Sequence, residues 1–466
     1  MSLSRRRFLS GAAVSAAFAG LARHSGAQDV VSYVNEVPGY GPLVADPNRI
    51  FDLPAGFSYQ VISQAGETMS DGFLVPQKCD GMGCFDLGSG RVALVRNHEL
   101  RPEDANFGPY GLTRRLASRL PAGAAYDMAG GAPLPGGTTT LVYDTRARRL
   151  ERQHLSLAGT AVNCAGGTTP WGSWLSCEES VLVPGRSGVG KDQGCVFEVP
   201  AAARAPVQPA PLRDMGRFQH EAACVDPRTG IVYMTEDAFD HLGLFYRFLP
   251  NQRGALAKGG RLQALGFRDA PEGGDSRNRE AVAWREGDWK DAVWIDLDGV
   301  DNPNDDLRQR GHKAGAAVFS RGEGIFWGRG ELYFTCTSGG PARLGQVMRY
   351  TPSPAEGQPG ERARPGRVQL FLESINPTVL AFPDNLAVSP WGHLLVCEDK
   401  YTEMAVNHLK GVTPEGQVYT IGRNAFAGNA ELAGVCFSPD GSILFLNIYL
   451  PGITLAITGP WKNFRT

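Results

Sequence analysis

Residues 220–237 read HEAACVDPRTGIVYMTED, and this stretch decides the fold. It contains two short apolar runs separated by the turn sequence DPRTG, with imidazole or carboxylate side chains at both outer ends. Two apolar runs joined by a short turn are typical of an antiparallel β-hairpin. In such a hairpin the start of the first strand lies beside the end of the second strand. The polar side chains are therefore expected together, at one end of the hairpin.

The same pattern occurs five more times along the chain. The other copies are DGMGCFDLGSGRVALVRNHE (80–99), NCAGGTTPWGSWLSCEES (163–180), RGEGIFWGRGELYFTCTS (321–338), PDNLAVSPWGHLLVCED (383–399) and ELAGVCFSPDGSILFLN (431–447). Further β-type runs, such as TTTLVYD and VQLFLE, flank these hairpins. The repeat predicts an all-β protein, a six-bladed β-propeller with about four strands per blade. A pair of β-sandwiches is the alternative, and the extent of the repeat favours the propeller.

The first 27 residues are expected to be an export signal. They contain the twin-arginine sequence SRRRFL (4–9), the apolar run GAAVSAAFAGLA and the small-residue site SGA (25–27). A disordered basic tail is the alternative. We expect export by the twin-arginine machinery, a periplasmic or secreted location, and a single propeller domain over residues 28–466.

Composition excludes several classes of protein. Charged residues make up 20% of the 466 residues and the net charge is −2, so no basic field points to nucleic acid. No apolar run beyond the N-terminus is long enough to span a membrane, so we expect no stable membrane association. The nine cysteines form no CxxC pair, which argues against a zinc ribbon. Their odd number leaves at least one thiol free or ligated in a monomer, and pairing of Cys79 with Cys84 stays open.

The second and third hairpins carry the first candidate ligands. Cys177, Glu178 and Glu179 end the second hairpin, where all three side chains can reach one cavity. A thiolate suits a transition metal, and carboxylates suit Ca²⁺, Mg²⁺ or Fe³⁺. A buried structural cysteine beside two solvated glutamates is the alternative. Glu221 opens an apolar strand, where a charge needs a partner or a metal, and Asp237 lies at the other end of that hairpin. His220 is a candidate ligand, base or core residue.

The fourth and fifth hairpins add an arginine and more oxygen ligands. Arg321 and Glu323 lie two residues apart at the start of a strand, so a guanidinium for phosphate stands beside a carboxylate for a metal. An internal ion pair is the alternative. Glu398 and Asp399 end the fifth hairpin and suit Ca²⁺. Asp384 and Asn385, at the start of the fifth hairpin, also offer oxygen ligands. The first and sixth hairpins look more like closure of the ring, with weaker oxygen ligands at Asn97, His98, Glu99, Glu431 and Asn447.

Acidic side chains recur at the same end of all these hairpins. So many carboxylates in one channel would repel one another unless cations neutralised them. We therefore expect a site for several metal ions on the propeller axis.

Several of these segments resemble the PhoX-type alkaline phosphatases. They are TPWGSWLSCEE, HEAACVD, RGEG, PDNLAVSPWGHLLVCED and FSPDGSILFLNIYLPGITLAITGPW, together with the twin-arginine leader. The resemblance extends in order from about Asp80 to Trp461. It implies a monomeric, exported six-bladed propeller that hydrolyses small-molecule phosphate monoesters at two ferric ions and calcium ions in its channel.

The resemblance also implies residue roles. Cys177 would be a thiolate ligand of iron, and Glu221 and Glu323 would be carboxylate ligands of the metals. Glu178 would lie on the calcium side, and Arg321 would contact the phosphate as the catalytic arginine. Further oxygen ligands would come from Asp237, Glu398 and Asp399. The family often has RPEG where this chain has RGEG, and it often has insertions that this chain lacks.

Two other functions fit the same hairpins. A calcium-dependent propeller lactonase or esterase needs an axial carboxylate site, but it has no use for a thiolate or for the Arg321–Glu323 pair. A non-catalytic binding propeller of the cell envelope would hold metals only for stability. Iron together with calcium in the purified protein distinguishes the phosphatase from the lactonase, and turnover distinguishes it from the binding protein.

Overall fold

The computed structural model describes residues 32–185, 187–400, 406–428 and 430–466. The expected export signal, residues 1–27, lies outside the described residues. The described chain consists mostly of β-strands, with one α-helix, α1 (Leu307–Lys313). Short 3-10 helices span Pro102–Phe107, Arg115–Arg119, Ala129–Gly131, Arg213–Met215, Leu256–Lys258, Glu361–Ala363 and Trp461–Asn463. None of the described helices is long and apolar enough to cross a membrane.

The strands follow one another in antiparallel groups along the chain. Three strands come first: β1 (Leu43–Val44), β2 (Phe51–Pro54) and β3 (Ser58–Gln64). The first group contains β4 (Cys79–Gly88), β5 (Arg91–His98), β6 (Gly136–Asp144) and β7 (Arg149–Thr160). The second group contains β8 (Asn163–Thr168), β9 (Ser173–Glu178) and β10 (Val196–Pro200). The third group contains β11 (His220–Val225), β12 (Val232–Glu236), β13 (Phe245–Pro250) and β14 (Gly260–Phe267).

The second half of the chain repeats this arrangement. A connecting strand, β15 (Trp289–Asp296), precedes the fourth group of β16 (Gly322–Gly328), β17 (Glu331–Cys336), β18 (Gln346–Thr351) and β19 (Arg367–Glu373). The fifth group contains β20 (Pro383–Val388), β21 (Leu394–Glu398), β22 (His408–Val412) and β23 (Val418–Asn424). The sixth group contains β24 (Leu432–Phe437), β25 (Ile443–Ile448) and β26 (Ile453–Thr458).

The first strands of the six groups form a closed ring. Contacts run from β4 to β8, then to β11, β16, β20 and β24, and from β24 back to β4. The ring closes in the sixth group, where β3 from the start of the chain pairs with β26 from its end. The expected all-β propeller is confirmed.

Hydrogen bonding divides the six groups into five sheets. Strand β15 pairs with β14 on one side and with β19 on the other, so the third and fourth groups share one nine-stranded sheet. Strands β1 and β2 extend the fifth group beyond β23, and the second group has three strands. These departures lie at the outer strands, so they leave the inner ring unchanged.

Apolar side chains pack between neighbouring groups and hold the inner strands in place. Between the third and fourth groups, the rings of Phe245 and Phe334 stack with centroids 4.2 Å apart. Between the fifth and sixth groups, Leu395 and Ile421 pack in one cluster with Leu444. Burying one such side chain stabilises the fold by roughly 1.5–3 kcal/mol. The axis of the ring is therefore a rigid frame on which side chains can be positioned.

Candidate metal centre

Every inner strand carries a β-bulge close to its start. The shifts in register lie between Cys79 and Met82, Asn163 and Gly166, His220 and Ala223, Gly322 and Ile325, Pro383 and Leu386, and Ala433 and Cys436. A bulge interrupts the alternation of side chains and can turn one of them toward a site. In five inner strands the second residue, inside the bulge, is a possible metal ligand. These residues are Asp80, Cys164, Glu221, Glu323 and Asp384.

A second set of ligands comes from the residue that follows the second strand of a group. In all six groups the last residue of that strand pairs with the first residue of the inner strand, as His220 pairs with Glu236. The next residue lies past the paired strand, beside the bulge. Its side chain is a carboxylate in four of the six groups, and these residues are Glu99, Glu179, Asp237 and Asp399.

These side chains meet at a cavity of about 450 Å³ at one end of the propeller axis. The cavity is lined by Glu99, Arg101, Cys164, Glu179, Asp237, Phe239, His241, Arg321, Glu323, Asp384, Asp399 and Glu431. Asp80 and Glu221 are buried and contribute ligand atoms to the same clusters. The axis therefore brings together acids from all six groups of strands.

Three overlapping clusters have the spacing of metal sites. Within each cluster one ligand atom per residue lies within 4.8 Å of the others. The clusters are Asp80–Glu99–Cys164, Cys164–Glu179–Glu221 and Glu221–Glu323–Asp384. Because Cys164 and Glu221 each belong to two clusters, the donors form one continuous row. Such a row suits several ions better than a single ion.

Three oxygen atoms of two of these buried carboxylates lack hydrogen-bond partners. Among the residues that the structure describes, neither side-chain oxygen of Glu221 has a partner, and nor does Oδ1 of Asp80. A buried carboxylate without a partner is strongly unfavourable unless it is protonated or coordinates a cation. These oxygens and the thiol of Cys164 therefore fit bound metal ions.

Burial and mutual repulsion raise the pKa values of the cavity acids. Burial, with the charges of Glu323 and Asp384 next, raises the pKa of Glu221 well above its usual value. Burial and the charge of Asp399 raise the pKa of Asp384 to about 8. Burial is also the main cause that raises the pKa of Asp399 to about 6. Cations would reverse these effects by favouring the ionised forms.

Arg321 is the cationic side chain held most firmly in the cavity. Its Nε and Nη2 atoms donate hydrogen bonds to the two carboxylate oxygens of Asp237, at 2.8 and 2.6 Å. Nη2 also lies 3.1 Å from Oε1 of Glu323. The guanidinium stacks over the ring of Phe239 at 4.7 Å, and Phe239 is 60% exposed at the rim. The orientation of Arg321 is thus fixed before any ligand binds.

The structure brings together five of the eight residues expected from the sequence. Glu221, Asp237, Arg321, Glu323 and Asp399 all lie at the cavity or in its clusters.

The remaining three, Cys177, Glu178 and Glu398, lie away from the cavity. Cys177 packs in an apolar cluster with Leu175 and Val232. All three residues belong to second strands, which lie one strand further from the axis than the inner strands. Their side chains contact neighbouring strands and loops and not the cavity. The structure therefore does not support metal-ligand roles for them.

The two glutamates have structural partners. Glu178 accepts backbone N–H bonds from Ala161, Gly194 and Cys195 at 2.9–3.1 Å. Glu398 pairs with Lys400 at 2.7 Å and His408 at 2.9 Å. Each carboxylate therefore anchors a loop to the end of its strand.

Asp80 and Cys164 are ligands that the sequence did not predict, and Glu179 was named beside Glu178 but was not assigned to the metals. Alignment of the six hairpins on their inner strands could have found Cys164, since it takes the position of Glu221 and Glu323. The first and sixth hairpins also contribute more than closure, through Asp80, Glu99 and Glu431. His220, by contrast, belongs to the core, where its ring stacks on Phe218 at 3.6 Å.

Among the described residues all the cysteines are free thiols, so Cys79 and Cys84 are not paired.

The fold and the site together define a class of protein: a β-propeller with acidic clusters and a fixed arginine in its axial cavity. A family model described as alkaline phosphatase PhoX matches residues 38–150 and 118–452. The chain therefore belongs to the alkaline phosphatase PhoX family and is a phosphatase. No curated protein gives a significant sequence match.

Solved structures share the fold. The structure of Pseudomonas fluorescens PhoX in complex with vanadate, a transition state analogue, matches with a TM-score of 0.64 and 18% identity, over 92% of this chain and 98% of that chain. A gluconolactonase from Xanthomonas campestris matches with a TM-score of 0.41 and 13% identity, over 92% of this chain and 100% of that chain. The first match supports the propeller arrangement of the whole chain.

Proposed function

We propose that this phosphatase hydrolyses phosphate monoesters at a polynuclear iron and calcium site in the axial cavity. The observation that carries the proposal is the continuous row of donors from Asp80 to Asp384, which ends beside Arg321. A lactonase would need only one calcium site and has no use for a fixed guanidinium. The row and the arginine together favour phosphoryl chemistry.

The donor set suits two kinds of metal ion. Cys164, with Glu179 and Glu221 beside it, offers the thiolate that favours a transition metal such as iron. Glu323, Asp384 and their neighbours offer only oxygen atoms, which suit Ca²⁺. When bound, the metals would supply Lewis-acid neutralisation of the phosphoryl oxygens and acidify water at the site.

The protein itself supplies orientation and charge for the phosphoryl group. Asp237 holds Nε and Nη2 of Arg321, and Phe239 covers one face of the guanidinium. Arg321 is therefore positioned to donate charge-assisted hydrogen bonds to phosphoryl oxygens as their charge redistributes in the transition state. The leaving group of the ester would project toward the rim at Phe239, because the other side of the phosphate faces the buried acids.

The test is phosphate release measured together with metal content. We expect the natively exported protein to contain iron and calcium in stoichiometric amounts and to release phosphate from p-nitrophenyl phosphate. Chelation should abolish the release, and iron with calcium should restore it. Full activity in metal-free protein would refute the metal proposal, and hydrolysis of a lactone without any phosphate release would refute the reaction.

Substitution at two cysteines will locate the thiolate ligand. We expect Cys164→Ser to lose iron and the visible absorption of a thiolate–iron bond, with activity reduced at least about 100-fold, since even outer-shell changes cost 10–100-fold. Cys177→Ala is the matched control, because it removes a thiol from the core cluster. It should keep its metals and lose only about 1 kcal/mol of stability. The reverse outcome would restore Cys177 as the ligand.

We also propose that the protein acts as an exported monomer. The twin-arginine sequence at 4–9 supports export by the twin-arginine machinery to the periplasm or beyond. Such a route carries folded proteins, so the metal site could be complete before export. A fusion of residues 1–27 to a reporter, exported only when Arg5, Arg6 and Arg7 are intact, would test this.

A further inference from the structure

Arg101 lies at the cavity mouth, where its charge acts on the carboxylate of Glu99 but forms no ion pair with it. It follows the second strand of the first group and lines the same cavity as Arg321. Among the described lining residues, these two arginines are the only permanently cationic side chains. The first and fourth groups are three positions apart in the ring of six, so the two arginines come from opposite sides of the axis.

The backbone around Arg101 is held in place. Leu100 is fully buried, and its carbonyl oxygen accepts a hydrogen bond from the N–H of Val162 at 2.9 Å. The N–H of Arg101 donates to Oδ2 of Asp104 at 3.0 Å, and Asp104 is paired with Lys78 at 2.7 Å. A long side chain on a fixed backbone can reach a ligand at the mouth without a rearrangement of the loop.

The two arginines differ in what already binds them. Arg321 is paired with Asp237 and Glu323. Arg101, in contrast, has no carboxylate within 4.0 Å among the residues that the structure describes, and its side chain is exposed. Because cations at the metal site would neutralise the cavity acids, the charge of Arg101 remains available to an incoming anion.

We propose that Arg101 binds a second anionic group of the substrate, so that the enzyme favours phosphate monoesters whose leaving group carries a carboxylate or another phosphate. The inference rests on the proposed function, since it assumes that Arg321 and the metals bind the phosphoryl group. A cavity of about 450 Å³ has room for such a small dianionic ester. A guanidinium matches the planar geometry of a carboxylate and can bind it through two parallel hydrogen bonds.

Two substrates of nearly equal size test the inference. Glycerol 3-phosphate and 3-phosphoglycerate differ only in a hydroxymethyl group that becomes a carboxylate. We expect the wild-type enzyme to have the higher kcat/KM for 3-phosphoglycerate. Arg101→Gln should reduce that value about tenfold, mainly through KM, and should change the value for glycerol 3-phosphate less than twofold. Arg101→Lys should recover part of the preference for 3-phosphoglycerate, because it keeps the positive charge but lacks the two parallel N–H donors of a guanidinium.

Arg115→Gln is the matched control for the loss of one positive charge from the surface near the cavity. Arg115 is exposed on the same loop but does not line the cavity. It should leave the ratio of the two kcat/KM values unchanged. An equal loss for both substrates in Arg101→Gln, or an equal change of the ratio in Arg115→Gln, would overturn the inference. Absence of phosphate release from both substrates in the wild-type enzyme would instead refute the proposed function.

Discussion

Glu221→Gln will abolish activity and yet stabilise the metal-free protein. Glu221 belongs to two of the three donor clusters, and an amide cannot replace its charge, so we expect the bound metals to be lost and kcat/KM to fall at least about 100-fold. In the presence of a chelator the same substitution removes a buried, repelling charge. The unfolding temperature of the metal-free variant should therefore exceed that of the metal-free wild type, by about 2 °C.

The stability of the metal-free protein is expected to fall as the pH rises. In the metal-free protein the pKa of Glu221 is raised above its unfolded value, as are those of Asp384, to about 8, and Asp399, to about 6. A raised pKa of an acid in the folded state gives stability at low pH that is lost as the pH rises. The metal-free wild type should therefore lose stability between about pH 4 and pH 8, and Glu221→Gln should lose less. Calorimetry with and without chelator measures both.

Glu178→Gln is the control for this experiment. Glu178 is equally buried, but its two oxygens accept three backbone N–H bonds outside the cavity. An amide nitrogen turned toward those donors should destabilise the protein by roughly 1–3 kcal/mol, with or without metal. Its metal content should not change. If Glu178→Gln lost the metals and Glu221→Gln kept them, the assignment of the site would be wrong.

Arg321→Gln will cause the other large loss. The guanidinium is the one positioned hydrogen-bond donor for the phosphoryl group that we assign, and loss of such a donor typically reduces kcat about 10²–10³-fold. Asp237 also loses its partner, so part of the loss will come from disorder of the site. We expect iron and calcium contents to remain, which separates this variant from Glu221→Gln. Arg321→Lys should recover little, since one ammonium cannot reproduce the fork.

A paired arginine far from the axis controls for the loss of charge. Arg349 lies in β18, in the same sheet as the strand β16 that follows Arg321, and it pairs with Glu331 at 2.7 Å. Arg349→Gln removes the same charge and should change kcat by less than twofold. An unchanged kcat in Arg321→Gln, with metals retained, would contradict the role of Arg321.

The hairpins and their polar ends could be predicted from the sequence, because short apolar runs and turn residues determine a hairpin from neighbouring residues alone. The same reasoning found Glu221 and Glu323, since each sits next to the first residue of an apolar strand. It also found Arg321, which comes one residue before its strand. It found Asp237 and Asp399 because they follow apolar strands. In each case the side chain lies where any antiparallel hairpin would place it.

The pattern of apolar and polar residues does not show which of several adjacent side chains reaches the axial cavity. Cys177 and Glu178 lie beside Glu179 in the sequence, but only Glu179 lies past the paired end of the strand. Cys164 reaches the axis because of a bulge between Asn163 and Gly166, which follows from contacts with neighbouring strands. The shared nine-stranded sheet could not be predicted from the sequence either, because β15 pairs with β19 across about 75 intervening residues.

The pairing of β3 with β26 has a consequence for the order of events during synthesis. Residues 58–64 pair with residues 453–458, which lie almost the whole length of the chain away, so the sheet of the sixth group stays incomplete until its last strand has been made. The propeller therefore cannot be closed while the ribosome still holds residues 453–458, and until then the cavity stays open on the side of the sixth group. We therefore expect the propeller to close after translation, when the two ends of the chain pair.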